Sequence, residues 1–301
     1  MRCALVLALV AACGDDGGAA PADAPIDEPM QTCTCTYGPA ALSGTIGENS
    51  VQELSGAASS ITMPNVVWSH EDGDRTTIYA FTTAGATRGE VQLSGVTTTD
   101  LEDIAVGPCA GGGSCIYLAD IGDNTLVRGL VQIYEIPEPA TISGTVSVAP
   151  KRYEIAYPDG AHNSEALFVD PHTGATYAIT KQTTNPSTVF AMPRIGNSAA
   201  TAGAIGTISI PSGDKQITAA DFHTDSCGSK LIIRTYDAMY ELRGGPQSPI
   251  ADLLAAPLVK VPVALEVQGE SVAYTPDGRG YFTVSEEPSG TEPKLMRVSC
   301  Q

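Results

Sequence analysis

Basic residues are scarce in this 301-residue chain: 16 Lys and Arg stand against 34 Asp and Glu, a formal net charge of −18. Phosphate backbones are held by clustered cationic side chains, so nucleic acid is excluded as a partner. Aromatic residues are few (6%, with one Trp), and charged residues make up 17%, below the roughly 25% of an average soluble domain. No apolar run approaches the ~18 residues of a membrane-spanning helix, and helical periodicity is almost missing beyond residue 32. No Cys-x-x-Cys pair occurs, nor a Gly-x-Ser-x-Gly elbow, His-Glu-x-x-His, P-loop or dinucleotide fingerprint. Zinc-ribbon, serine-hydrolase, zinc-protease and nucleotide-dependent readings therefore lack support. What is plentiful is glycine (31) and proline (21) beside 43% hydrophobic residues, a composition suited to short strands, tight turns and a buried core.

The first residues read as an address. Met1-Arg2 carries one positive charge, residues 3–12 are unbroken apolar sequence, and Val10-Ala11-Ala12-Cys13 closes the run. A short apolar stretch ending in small residues is an export signal, and the tetrapeptide resembles the lipobox of bacterial lipoproteins. That resemblance implies cleavage after residue 12, lipid on the Cys13 sulfur, and an extracytoplasmic, lipid-anchored position in the bacterial cell envelope. Residues 13–31 hold too few bulky apolar groups to repay their ordering entropy and are expected to form a flexible acidic tether. The folded domain is expected over 32–301. Of the eight cysteines, six remain after Cys3 and Cys13, an even number that suggests three disulfides. Cys109 and Cys115 flank a Gly-rich loop and are expected to pair; Cys33 or Cys35 is expected to reach Cys300, with the connectivity otherwise open.

From there the chain repeats a pattern of short strands. An inner run opens each unit: LSGAAS, LEDIAVG, SEALFVD, TAADFHT and GESVAYT. A second run follows a turn (NVVWSHE, CIYLADI, ATYAITK, KLIIRTY, GYFTVSE), then a third (TTIYAFT, LVQIYEI, STVFAMP, DAMYELR, PKLMRVS) and a variable fourth, among them TVSVAP in the second unit. Four antiparallel strands repeated at this spacing are the pattern of a β-propeller blade. Five copies are counted, and the long connection 139–163 has room for an extra pair of strands and so for a sixth unit. The last copy lacks a fourth strand, which residues 40–46 are expected to supply, closing the ring. A β-sandwich is the alternative, separable by strand order.

The runs WSHEDGD, LEDIAVG, YLADIGDN, HNSEALFVD, LIIRTYDAMYEL and GESVAYTPDGRGYFTVSE resemble a family of secreted bacterial β-propeller lipoproteins without settled activity. The Tyr-Thr-Pro-Asp-Gly turn is similar to TolB-type repeats. The acidic inner strands are distantly similar to phytase-like and gluconolactonase-like propellers, which implies calcium in or beside the channel.

In register, the inner runs place Ser55, Glu102, Glu165, Ala219 and Glu270 at one position. Innermost strands line the channel of a propeller, so Glu102, Glu165 and Glu270 are expected to converge, with Asp103 and Asp221 near their level. Carboxylates about 6 Å apart repel by roughly 3 kcal/mol per pair at an effective dielectric near 20. Such a ring calls for a cation, an arginine or protons, and all-oxygen ligands favour calcium. The alternative is that these glutamates bind backbone amides or channel water. The ends of the second runs carry His70, Glu71, Asp72 and Asp74, then Asp120, Asp123 and Asn124, then Lys181, Arg234 and Asp237, and finally Glu286 and Glu287. A loop adds His162 and Asn163.

Two functions follow as expectations. In one, a calcium-dependent hydrolase acts on a small anionic ester or lactone. Glu102, Glu165, Glu270, Asp103 and Asp221 hold the metal, Lys181, Arg234, Asp120 and Asn163 bind the ligand, and His70 or His162 moves the proton. In the other, a non-catalytic envelope module binds a partner through the same face.

Overall fold

The computed structural model describes residues 33–47, 51, 53–196, 198–287 and 290–301. The expected export signal (1–12), Cys13 and the expected tether (13–31) lie outside the described residues. The rest is all-β, with one short helix, Ile250–Leu254, among them, and the strands form a five-bladed β-propeller.

From the axis outwards, the first blade consists of Leu54–Ser59, Val66–Glu71, Thr77–Thr82 and Thr87–Leu93, the second of Leu101–Pro108, Ser114–Asp120 and Val131–Pro137. The third contains Ser164–Val169, Thr176–Thr180, Ser187–Met192 and Gly203–Ile208, the fourth Ile217–Asp225, Gly228–Thr235, Met239–Gly244 and Val259–Val261. The fifth holds Ala273–Tyr274, Gly280–Thr283 and Lys294–Ser299, and its outermost strand is Ala41–Thr45, paired antiparallel from Ala41 opposite Arg297 to Thr45 opposite Lys294. First and last parts of the chain thus share one sheet, as the missing fourth strand requires.

The long connection does hold two strands, but they make no sixth blade. Gly144–Val148 runs parallel to Thr87–Leu93 on the outer edge of the first blade, and Lys151–Ala156 joins the second, with the short strand Ala200–Thr201 parallel to it at the edge. The run TVSVAP, expected as the fourth strand of its own unit, therefore serves the unit before it. Its place is taken by a strand whose Tyr153 and Ile155 face the core.

The apolar runs are continuous rather than alternating because a blade is covered on both faces. Val66–Glu71 and Ser164–Val169 are buried at every position. An apolar layer fills each interface around the ring: Trp68 and Ile78 meet Ile104 and Tyr134, and Tyr117 and Ile133 meet Leu167 and Phe190. Phe168 and Ile179 meet Ile233 and Tyr240, Ile232 and Met239 meet Tyr274 and Tyr281, and Phe282 and Leu295 meet Leu54 and Phe81. Each such side chain contributes about 1.5–3 kcal/mol on burial. A two-sheet sandwich has a single such layer, so the alternative fold is excluded.

Disulfides link Cys109–Cys115, Cys35–Cys300 and Cys33–Cys227, bonds that form and persist in an oxidising, extracytoplasmic setting. The last two clasp the chain around Tyr37, whose hydroxyl donates to Glu241 at 2.8 Å. No helix among the described residues is long and apolar enough to cross a membrane.

Candidate functional site

The innermost strands share a local irregularity. Pairing with the second strand slips by one residue between Leu101 and Asp103, between Ser164 and Ala166, between Ile217 and Ala219, and between Leu54 and Ala57. The extra residue of such a bulge is free of the ladder and turns aside from the pleat. In the second and third blades that residue is Glu102 and Glu165. In the fourth it is Thr218, so the expected register, which put Ala219 there, is off by one. In the fifth blade the inner strand is broken in the same region, around Glu270.

At these positions side chains act across blades. Ser55 donates to the carbonyl of Glu102 at 2.8 Å and Thr218 to that of Gly269 at 2.8 Å. The three glutamates gather at one mouth of the channel, where Glu102 feels the charge of Glu165, and Glu165 that of Glu270. Two further acids join them. The carbonyl of Gly73 accepts the amide of Leu101 at 2.9 Å, drawing Asp72 to the start of the next blade. There oxygens of Asp72, Asp100 and Glu102 all lie within 4.8 Å of one another. Gly122 makes the space: a Cβ on it would overlap Glu102 Oε1 and Asp100 Oδ2. Asp100 is itself placed by the buried Asp120, which accepts the amides of Thr99 (3.1 Å) and Asp100 (3.0 Å).

Burial sets the protonation of this cluster. It pushes Glu102 well above the usual carboxylate range, helped by the charges of Glu165, Asp72 and Asp100. Burial likewise raises Asp72 to about 6, with Glu270 and Asp100 adding to it, and raises Asp100 against the pull of Arg128. Glu165 is pushed by burial to about 7 although Lys181 opposes the shift. Glu286 is raised to about 9 by burial and by its hydrogen bond to Glu270. The amide of Gln268 spans that last pair, donating to Glu270 at 2.8 Å and to Glu286 at 2.6 Å. Glu102 is 5% exposed, and among the described residues no donor reaches its carboxylate.

Other expected site residues have different duties. Lys181 donates to Glu165 and to the Tyr236 hydroxyl, and Arg234, fully buried, pairs with Glu266 and donates to the carbonyl of Ser271. Neither cation faces the mouth free of a partner carboxylate, so the expectation that they clamp an anion is corrected. His70 is fully buried, with Nδ1 on the carbonyl of Glu71 and Nε2 without a partner among the described residues. Burial lowers it to about 4, and none of its surface is exposed at the rim. His162 packs against Tyr157 and Phe190 and bonds Asp159 at 2.8 Å, and it is not among the three acids whose oxygens meet. Asp103 and Asp221 are turned to the backbone: Asp103 accepts the amides of Leu167 and Ile104, and Asp221 those of Tyr274 and Phe222. Neither belongs with Asp72, Asp100 and Glu102. Asp120 pairs with Arg128 at 2.8 Å, and Asn163 Oδ1 accepts the amide of Asp123; both order loops at the mouth. Asp72 stands out from the sequence only as one of the acids ending a second run, and Asp100 does not stand out at all; the available signal was its place just before an inner run.

No protein-family model and no curated protein matches the chain. Among solved structures it is similar to XC5397 from Xanthomonas campestris, described as a gluconolactonase, with 12% identity over 88% of this chain and 99% of that one, TM-score 0.45. It is also similar to a glucose dehydrogenase, with 10% identity over 88% of this chain and 100% of that one, TM-score 0.44. At this identity and TM-score neither likeness carries an argument about this chain.

Proposed function

We propose that the channel mouth holds a divalent cation between Asp72, Asp100 and Glu102 and that the chain is an extracytoplasmic hydrolase of a small ester or lactone there. The single observation that carries this is the meeting of three carboxylates within 4.8 Å around a nearly buried Glu102. Three such charges repel by roughly 3 kcal/mol or more per pair at an effective dielectric near 20, a cost that a hard cation or bound protons offset. The donor set fits the ion: the ligands are all oxygen, they come from two blades, and Gly122 leaves the space. Calcium is favoured because it tolerates irregular oxygen cages. When bound, the ion supplies Lewis-acid polarisation of a carbonyl group.

The chain's own residues do the rest. Glu286, raised to about 9, carries a proton at neutral pH beside Glu270, and Gln268 fixes both carboxyls, so the pair is placed to give a proton to a leaving oxygen. Lys181 keeps Glu165 paired and the mouth less negative. With both cations engaged, the substrate class narrows from anionic to uncharged. Calorimetric titration with calcium, beside hydrolysis assays on a panel of neutral lactones and esters, tests this reading. Loss of both heat and turnover in Glu102→Gln supports it, and absence of calcium binding in the wild type ends it.

A second reading, a lipid-anchored envelope module that binds without catalysis, is favoured by one observation. The described N-terminal segment is bonded to Cys227 and Cys300, beyond the ends of Ile217–Asp225 and Lys294–Ser299 that lie away from the acidic mouth. Disulfides of this kind suit a module displayed outside the cytoplasm. Specific capture of one envelope partner with no turnover on any substrate would favour this reading.

A further inference from the structure

The end of the ring that carries the acids also displays apolar side chains on two loops. One follows the second strand of the second blade: Leu126 is 58% exposed and Val127 77%. This loop is firmly built. The Asp123 carboxylate accepts the amides of Val127 (3.0 Å) and Arg128 (2.7 Å), and the Arg128 guanidinium donates to the carbonyls of Gly122 and Asp120 and to Gln132. Leu126 is held at φ 55°, a left-handed conformation that costs an L-residue about 1–2 kcal/mol. The second loop leads into the fifth blade. Glu266 turns inward to Arg234 and Gln268 to the Glu270–Glu286 pair, while Leu265 and Val267, on either side of Glu266, are 101% and 69% exposed.

Single exposed apolar residues are ordinary. These four differ because their loops are the ones that shape the mouth: Gly122 lies against Glu102 and Asp100, and Gln268 holds Glu270. Hydrogen bonds and backbone strain are spent on keeping leucine and valine in water beside a pool of carboxylates. Apolar anchors beside charge are the pattern of a docking face.

We propose that this face docks a basic polypeptide segment, whose apolar side chains meet Leu126, Val127, Leu265 and Val267 while its cationic groups lie over the acidic mouth. Charge complementarity selects the occupant. The chain carries −18 overall, and at the mouth the charges of Lys181 and Arg128 stand against those of Asp72, Asp100, Glu102, Glu165, Glu270 and Glu286. An acidic segment or an anionic lipid surface is repelled, and a basic one is steered in. The interaction goes beyond the cation reading and does not need the ion.

The test uses a fluorescent peptide of about 12 residues alternating leucine and lysine, a second with glutamate for lysine, and anisotropy in EDTA. The expected result is saturable binding of the Leu–Lys peptide to the wild-type chain, weakened about tenfold in the Val127→Ser/Leu265→Ser double variant. Binding should also fall as ionic strength rises from about 0.05 to 0.5 M. Equal affinity for wild type and double variant, or for the Leu–Glu peptide, overturns the inference. Calcium titration of the same samples separates the two ideas. Peptide binding without calcium uptake counts against the proposed function alone, and calcium uptake without peptide binding counts against the docking face alone.

Discussion

Asp221 Oδ2 of the fourth blade accepts the backbone amide of Tyr274 in the fifth at 2.7 Å, and its other oxygen takes the amide of Phe222 at 2.8 Å. Asp103 does the same between the second and third blades through Leu167 at 2.8 Å. A fully buried carboxylate, Asp103, and a partly buried one, Asp221, thus tie inner strands to one another near the axis, where side chains from different blades are closest.

That position fixes a pH dependence. Burial raises Asp221 to about 7 despite its two amide donors, so between the ordinary aspartate value and about 7 the folded chain binds more protons than the unfolded one. Its contribution is greatest below that window and is lost as pH rises through 7. His70, lowered to about 4 by burial, acts in the opposite sense, its contribution being lost as pH falls from 6.5 towards 4. Urea unfolding of the metal-free protein is expected to show stability falling from pH 6 to 8, and the slope to flatten in Asp221→Ala. That variant also leaves two amides without acceptors and is expected to lose about 2–4 kcal/mol overall.

Gly122→Ala probes the proposed cation centre without replacing a carboxylate. A methyl group there must displace Glu102 and Asp100, so calcium affinity is expected to fall at least about tenfold while the circular dichroism spectrum is kept. Unchanged calorimetric affinity would place the ion elsewhere.

Lys181 would oppose the proposed cation. Its charge is felt by both Glu102 and Asp100, and removing it makes the mouth more negative. Lys181→Gln is expected to raise calcium affinity several-fold, an effect that shrinks at high ionic strength because it acts through charge rather than contact. A loss of affinity would show that Lys181 instead holds Glu165 in place for the ion.

The N-terminal clasp is expected to carry much of the ring's stability. The Cys35–Cys300 and Cys33–Cys227 bonds span 265 and 194 residues, the Cys109–Cys115 bond only 6. Loops of the first kind constrain the unfolded chain by roughly 4–5 kcal/mol each, short ones by less. Replacing Cys35 and Cys300 by serine should lower the melting temperature more than replacing Cys109 and Cys115. Hydrogen exchange should then quicken first in Ala41–Thr45.

Much of the fold was legible because a propeller repeats its instructions. Strand runs in fixed order, a last unit short of one strand, and residues 40–46 able to provide it led to a closed five-bladed ring. The Cys109–Cys115 pair was readable from its small loop. The crossing of Gly144–Val148 to the first blade was not, since an outer-edge strand carries no mark of the edge that it will pair with. The convergence of Glu102, Glu165 and Glu270 was readable from their shared position, but the bulge that turns them aside leaves no trace in composition. It also shifted the fourth blade's member from Ala219 to Thr218.

Charge, residue types and periodicity determined by themselves that this chain is acidic, all-β and cyclic, because those properties are local and repeat with each unit. Which acids share an oxygen cage, which cations are already taken, and that His70 is sealed from water were decided only in three dimensions. Each depends on distances between side chains on different blades, and those distances exist only once the five sheets close on one another.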